Sequence, residues 1–482
     1  MLLALFLGAC SDSSNGPSTP QPLPINLPTV SSPPAEGQPV LLSTTFPLED
    51  VGYRQQEFFL TGTASAYTNV SALTEDGQWA VEPGESADYS TRVLVYLPQD
   101  TAAFSGSVFV EWLNVTTGFE LPVSYGTAHT ELLDAGHAIV LLSAQFAGVE
   151  GAENPLLPLH LKAVNPQRYG SLYHPGDSFS YDMLTQVAGV LREGGQENLL
   201  GGLQVTHLFA MGQSQSAGYL VSYYNAIQPL YQAYNGFLIQ NRGGGAAPLS
   251  QAPQVSIDAP EATRLSTGVD AVVINVQGET DVLALGSVNA RQDDNSRLRL
   301  WEIAGAAHND EYTFVSGRND IGSNPEFALV VEQTSILGFQ ECDIPMNSGY
   351  LAWPVNTAVR ALVQWARGGE APAEVERLNL SDDQQAFILD NAGNVTGGLR
   401  TSYVDAPAAI LSGLGQSENS FCRLFGTTQL FDAATMASRY TDKAGYVEAV
   451  TRAVQAGIEQ RTLLPRDGDR VIEAASLQWD RL

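Results

Sequence analysis

Two pentapeptides set a serine between small residues, Gly212-Gln213-Ser214-Gln215-Ser216 and Gly176-Asp177-Ser178-Phe179-Ser180. A serine can attack a carbonyl when it sits at the apex of a sharp strand-to-helix turn. Its neighbours must then be small, because strand and helix crowd the turn. The pattern alone is weak in a chain with 45 glycines. Context separates the two. An apolar stretch, His207 to Met211, precedes Ser214, and a helical pattern opening with Ala217-Gly218 follows it. Before Ser178 stands Tyr173-His174-Pro175, where the proline excludes a central strand. Ser214 is therefore the candidate nucleophile. The plain alternative is a Gly-Ser turn opening an ordinary helix.

A serine of this kind needs a base and an acid, which follow it in the order Ser, acid, His. Of six histidines only His308 lies beyond Ser214; His129, His137, His160, His174 and His207 all precede it. His308 ends the small-residue run Ala304-Gly305-Ala306-Ala307, which lets an imidazole reach back to the serine. The acid belongs after the strand AVVINV, which ends in Gly278-Glu279-Thr280-Asp281. Asp281 is favoured, with Glu279 in reserve. An oxyanion hole needs two N–H groups aimed at the developing charge. Gln215 supplies one from its backbone. The other is placed at Asn114, by backbone or side chain, in the loop after SVFVEWL.

Other chemistries find little support. There is no His-Glu-x-x-His, cysteine-rich metal spacing or EF-hand loop, so neither metal nor cofactor is expected. Gly243-Gly244-Gly245 lacks the spacing and lysine of a phosphate loop and reads as a close-packed turn at the sheet edge. Arg242 before it is a candidate for binding a substrate carbonyl or acid, or for an internal salt bridge. The aromatics of 119–125 and 170–181 suit an apolar acyl or alcohol pocket, or ordinary core packing.

The elements that must position these residues alternate in type. Strands are predicted at 56–62, 92–97, 107–113, 137–143, 207–212, 236–240, 271–276 and 298–303. Helices are predicted at 123–135, 181–194, 215–227, 327–337, 355–367 and 441–459. The later strands are near-continuous apolar runs, as in parallel strands buried on both faces. The fold class is α/β, a mostly parallel sheet flanked by helices. Lid-like insertions are expected at about 144–180 and 309–352, with a C-terminal extension from about 373 packed on the core.

The chain has 482 residues, 52 acidic against 23 basic, a net charge of −29. That balance repels a phosphate backbone and excludes nucleic acid as a partner. The opening MLLALFLGAC resembles a lipoprotein signal, with residues 1–9 cleaved and Cys10 lipidated. It is too short to span a bilayer, so a membrane is engaged only through the lipid. Residues 10–39, rich in Ser and Pro, read as a flexible tether, and 40–482 as one domain. Export, to the periplasm, the outer membrane or the medium, leaves Cys342 and Cys422 as an expected disulfide.

With these residues in place, the chain resembles the bacterial "alpha/beta hydrolase domain" family, a branch of the α/β-hydrolase superfamily. The resemblance rests on VFVEWLNVTTG, VLLSAQFAGVEG, RYGSLYHPGDSFSYDM, FAMGQSQSAGYL, RGGGAAPLS, GETDVLALG, RLWEIAGAAHND, TAVRALVQWARGGEAPA and GGLRTSYVDAP. It implies one large hydrolase unit with a Ser214, Asp281 or Glu279, His308 triad. Ala217-Gly218 departs from the family's common Gly-Arg. The expected activity is hydrolysis of a small or polymeric carboxylic ester through an acyl-enzyme. Alternatives are an amidase or peptidase of the same chemistry, and a non-catalytic binding lipoprotein on a hydrolase scaffold.

Overall fold

The computed structural model describes residues 21–153, 155, 157–193, 199–417 and 420–481. Its apolar runs become the middle of a nine-stranded sheet: β1 (Thr29–Ser31), β2 (Tyr53–Asn69), β3 (Val81–Pro98), β4 (Ser107–Trp112), β5 (Ala138–Leu142), β6 (His207–Gln213), β7 (Gly236–Gln240), β8 (Val272–Gln277) and β9 (Leu298–Glu302). The strand order is β1-β2-β3-β5-β4-β6-β7-β8-β9. From β5 to β9 neighbours are parallel, whereas β1, β2 and β3 join antiparallel.

Alternation along each strand sorts side chains into two cores. Val108, Val110, Val140 and Leu208 face one core, with Leu184 and Val187 of α2 (Ser180–Glu193) and Leu220 of α3 (Gln215–Ser222). Phe109, Ile139, Leu141 and Met211 face the other. There they meet Tyr125 and Leu132 of α1 (Val123–Asp134) and Val355, Val359 and Leu362 of α4 (Ala352–Ala366). Burial on both faces is why these strands carry no polar alternation. The buried Glu111 of β4 accepts the backbone N–H groups of Ser124 (2.7 Å) and Tyr125 (2.9 Å), satisfying the start of α1. Without a counter-charge, burial pushes its carboxyl up to about 8.

Two expectations need correction, and one helix was not expected. The segment read as a flexible tether is not free over its described part: Thr29–Ser31 pair with β2, and Leu23 N–H donates to Leu230 O at 2.8 Å. Cys10 lies outside the described residues. The helix expected at 327–337 is instead a 3-10 turn, Pro325–Ala328, and a small hairpin of β10 (Ser335–Ile336) and β11 (Gln340–Glu341). Pro325 suits a first turn, and Leu337 with φ 52° breaks any continuation. The sequence reading also missed a helix, Pro465–Arg481, that packs on Lys443–Glu459.

The C-terminal extension has a core of its own, with Tyr446, Val450, Val454, Val471 and Ala474. This cluster continues into Trp353 of α4 and Tyr312. β12 (Ala409–Ser412) and β13 (Thr427–Leu430) pair within it. A disulfide joins Cys342 to Cys422 across 80 residues of sequence.

Candidate active site

Ser214 stands between the last residue of β6 and the first of α3, with φ 61° and ψ −120°. A non-glycine residue adopts this conformation only at a cost, and the strained turn holds the hydroxyl clear of both elements. The crowding explains the small neighbours. A Cβ on Gly212 would lie 3.1 Å from both Ser216 Cβ and Leu220 Cδ1.

His308 Nε2 lies 2.9 Å from Ser214 Oγ, and its Nδ1 lies 2.6 Å from Asp281 Oδ1. The aspartate fixes the proton on Nδ1, which leaves the Nε2 lone pair for the serine hydroxyl; this tautomer follows from the hydrogen-bond pattern. The second Asp281 oxygen accepts the Gly278 N–H and Asn241 Nδ2, each at 2.6 Å. Asp281 and His308 are buried, whereas Ser214 is partly open. The structure brings together Ser214, His308 and Asp281 and leaves Glu279 out of the relay.

Glu279 has another task. Its carboxylate accepts the Gly305 N–H at 2.6 Å and the Gly413 N–H at 2.8 Å, tying the start of the histidine loop to the C-terminal extension. Burial pushes its carboxyl up to about 7. The joint is tight: a Cβ on Gly413 would lie 2.5 Å from Glu279 Cβ, and one on Gly278 2.5 Å from Ala307 O. Thr280 Oγ1 receives the His308 N–H at 3.0 Å while donating to Gly413 O at 2.5 Å. Asn347 Nδ2 bridges Gly305 O (2.9 Å) and Ser412 O (3.0 Å), and the Asn309 N–H donates to Leu424 O at 2.9 Å. Leu424 is two residues from Cys422, so the disulfide borders this support. From the strand side, Gln213 Nε2 donates to His308 O (3.2 Å) and Asn309 Oδ1 (3.1 Å).

The oxyanion assignment at Asn114 requires correction. Its N–H donates to Leu121 O at 3.0 Å, and its Nδ2 to Gln213 O at 3.0 Å, so both groups brace the loop. The next residue is better placed. The Val115 N–H faces the nucleophile helix, held only by a 3.4 Å contact to the Gln215 side-chain oxygen. Gln215 itself opens α3, where a backbone N–H has no intrahelical acceptor.

The remaining candidates fall elsewhere. Ser178 Oγ is buried among Ser250 Oγ and the backbone of Gln251. Arg242 is buried and donates to the carbonyls of Gly243, Gly244 and Thr263, fastening the glycine turn rather than reaching a substrate. Phe179 and Tyr181 belong to the core. Phe119, Leu121 and Val123 form a separate apolar cluster with Leu42, Leu157 and Phe314.

A family model described as "Alpha/beta hydrolase domain" matches residues 24–473. The chain belongs to that family. Among solved structures, this alpha/beta hydrolase is similar to a glucuronoyl esterase from Solibacter usitatus, at 12% identity over 60% of this chain and 82% of that one, TM-score 0.29. It is similar to acetyl xylan esterase 1 from Thermoanaerobacterium sp., at 10% identity over 57% and 81%, TM-score 0.29. A Pyrococcus furiosus esterase matches at 10% identity over 55% and 87%, TM-score 0.29. No curated protein matches the chain significantly. Among the described residues of the hydrolase, no helix is long and apolar enough to cross a membrane. None of its described His, Cys, Asp and Glu side chains gather in threes to hold a metal ion.

Proposed function

We propose that this alpha/beta hydrolase cleaves carboxylic esters through an acyl-enzyme on Ser214. One observation carries the reading: the continuous contact from Asp281 through His308 to a serine held at positive φ. Ser214 Oγ attacks the ester carbonyl carbon while His308 Nε2 takes its proton. Asp281 stabilises the imidazolium that forms. The carbonyl oxygen becomes an oxyanion facing the N–H groups of Gln215 and Val115. Collapse breaks the bond to the alcohol oxygen, which receives the proton from Nε2. A water then attacks the acyl-enzyme by the same route, releasing the acid and restoring Ser214.

The ester is favoured over the amide as substrate on chemical grounds, since its carbonyl is less resonance-stabilised and an alkoxide leaves more readily than an amide anion. A matched p-nitrophenyl ester and p-nitroanilide with the same acyl group test the assignment. The expected result is ester turnover that disappears in Ser214→Ala, with the anilide at least 100-fold slower. Faster anilide cleavage would make the enzyme an amidase. Export with lipidation at Cys10 belongs to the same reading; it is supported by the Cys342–Cys422 disulfide, a bond that persists in oxidising compartments. Mass spectrometry of the N-terminus of the native protein checks it, and an unprocessed, unlipidated Cys10 would refute it.

A further inference from the structure

The loop between β4 and α1 folds back on itself. Its two legs pair at Asn114 and Leu121, through backbone hydrogen bonds of 3.0 and 2.9 Å, and the Gly118 N–H closes the turn on Val115 O at 2.8 Å. Val115, with the proposed oxyanion donor, stands on the first leg, and Glu120 on the second. Asn114 Nδ2 ties the first leg to Gln213 O, next to the nucleophile. The second leg is held from farther away. Arg92 of β3, two strands from β4 in the sheet, donates through Nη2 to the Glu120 carboxylate.

This ion pair is closed to water, with side chains 0% and 4% exposed. The other donors of Arg92 fix its fork. Nε donates to Ser143 Oγ at 3.0 Å, just past β5, and Nη1 to Val40 O at 2.6 Å in the N-terminal segment. The Ser143 N–H donates back to Arg92 O at 3.0 Å. A second buried pair lies behind the first. Glu57 accepts Arg168 Nε at 2.6 Å and the Tyr169 hydroxyl at 2.8 Å, and it stands 3.8 Å from Arg92 Nη1. The slot for Glu120 is tight: a Cβ on Gly148 would lie 2.7 Å from both its Cγ and its Oε1.

A buried ion pair adds little net stability, because desolvation offsets the attraction, and apolar residues of similar volume often serve a fold as well. What a planar guanidinium adds is direction, since its bonds to a carboxylate fix angle as well as distance. Direction matters at an oxyanion hole, where a donor must lie about 2.7–3.1 Å from the developing charge. We propose that Arg92 and Glu120 are positioning residues that hold the Val115 N–H where the oxyanion forms. The proposal rests on the ester hydrolase reading above, with Val115 as donor, and extends it to residues that touch neither substrate nor relay. Without the pair the second leg is released, and the first moves with it through the Asn114–Leu121 bonds.

The test is steady-state hydrolysis of p-nitrophenyl acetate by the full-length protein. Both half-reactions pass through an oxyanion, so kcat reports the donor whichever of them limits. Removing a donor outright costs about 10² to 10³ in kcat, and misplacing one costs part of that. Glu120→Ala should lower kcat about 30-fold with KM within about threefold of the wild type, the pattern of an interaction made only in the transition state. Glu120→Gln keeps an acceptor oxygen for Arg92 and should recover kcat to within about fivefold of the wild type. Arg92→Met with Glu120→Leu removes both charges together, so it should fold even where Glu120→Ala does not. Its denaturation midpoint should stay near that of the wild type while kcat falls as in Glu120→Ala. A trifluoromethyl ketone, whose carbonyl carbon accepts Ser214 Oγ and leaves an oxyanion, should lose affinity in step with kcat.

Wild-type kcat in the folded double variant, a loss confined to KM, or unchanged affinity for the ketone would overturn the proposal and leave the ester reading intact. Glu120→Gln no faster than Glu120→Ala would overturn it too, by tying the effect to charge rather than to the hold on the loop. No ester turnover and no fluorophosphonate labelling of Ser214 in the wild type would instead overturn the ester reading, and this inference with it.

Discussion

The serine half of the site and the histidine half are built on different principles. Ser214 is positioned by contiguous sequence: β6 runs in, α3 runs out, and the turn between them fixes φ and ψ. Its backbone partners are local or lie on the adjacent strand, with the Gly218 N–H donating to Ser214 O at 3.1 Å and the Ser214 N–H to Gln240 O at 2.9 Å. His308 stands in a loop with no regular structure of its own. It is held by Thr280, by Gln213, and through Glu279, Asn347 and Leu424 by a segment more than 100 residues further along. The placement of Ser214 therefore depends on local geometry, and that of His308 depends on the completed tertiary structure. Perturbing the extension should disable the base first and leave the serine turn in place.

The largest effect falls within the histidine half. Asp281→Asn should leave the fold intact and lower kcat on an ester by about 10⁴, because the imidazole adopts the wrong tautomer. Glu279→Gln should cost far less activity, within about 10-fold. Steady-state kinetics of both variants test the pair, and the reverse ranking would move Glu279 into the relay.

Breaking the disulfide comes next. Cys342→Ser with Cys422→Ser should reduce stability by about 2–4 kcal/mol, the usual contribution of such a bond. Denaturant melts measure that loss. Esterase activity should fall at a lower denaturant concentration than does the circular dichroism of the sheet, as the extension loosens its hold on Asn309. Coincident loss of both signals would show that the two halves are equally dependent on the extension.

Glu279 also gives the comparison a pH dependence. Burial raises its carboxyl to about 7 from an ordinary 4.5. The folded state thus holds this proton more tightly than the unfolded one. Its stabilising contribution is complete below pH 4.5 and is lost as pH rises through 7. The change is on the order of 3 kcal/mol at 1.36 kcal/mol per pKa unit. Glu279→Gln does not titrate there, so its stability deficit relative to the wild type should shrink between pH 5 and pH 8. Melting curves across that range check the sign, and a constant deficit would contradict it.

The smallest effect separates Asn114 from Val115. A direct oxyanion donor costs about 10² to 10³ in kcat when removed. Asn114→Ala removes a brace on Gln213 O and the acceptor of the Thr116 N–H, both supports of the loop, so kcat should drop no more than about 10-fold. A drop of 10³ would return the oxyanion role to the Asn114 side chain.

How much of this was legible in the sequence follows the same division. β4 to β9 were readable because burial on both faces imposes near-continuous apolar runs, and Ser214 because its turn demands small neighbours. Asp281 could be preferred to Glu279 from its place in the turn, but the role of Glu279 was hidden, because Gly413 is 134 residues away. The Val115 N–H, proposed here as an oxyanion donor, could not be read from the sequence, because a backbone N–H has no signature in residue type. The helix at Pro465–Arg481 was legible in principle: Val471, Ala474, Ala475 and Gln478 recur at helical spacing, and Pro465 marks a first turn. The mistaken helix at 327–337 came from an apolar run too short to distinguish from strand by period alone.

The most direct test is active-site labelling with a fluorophosphonate, which reacts only with a serine activated by its base. The wild type should take up one equivalent, mapped to Ser214 by peptide mass spectrometry. Ser214→Ala should take up none, and Ser178→Ala should label as the wild type does. Undiminished labelling of a folded Ser214→Ala, or no labelling of the wild type, would contradict the account.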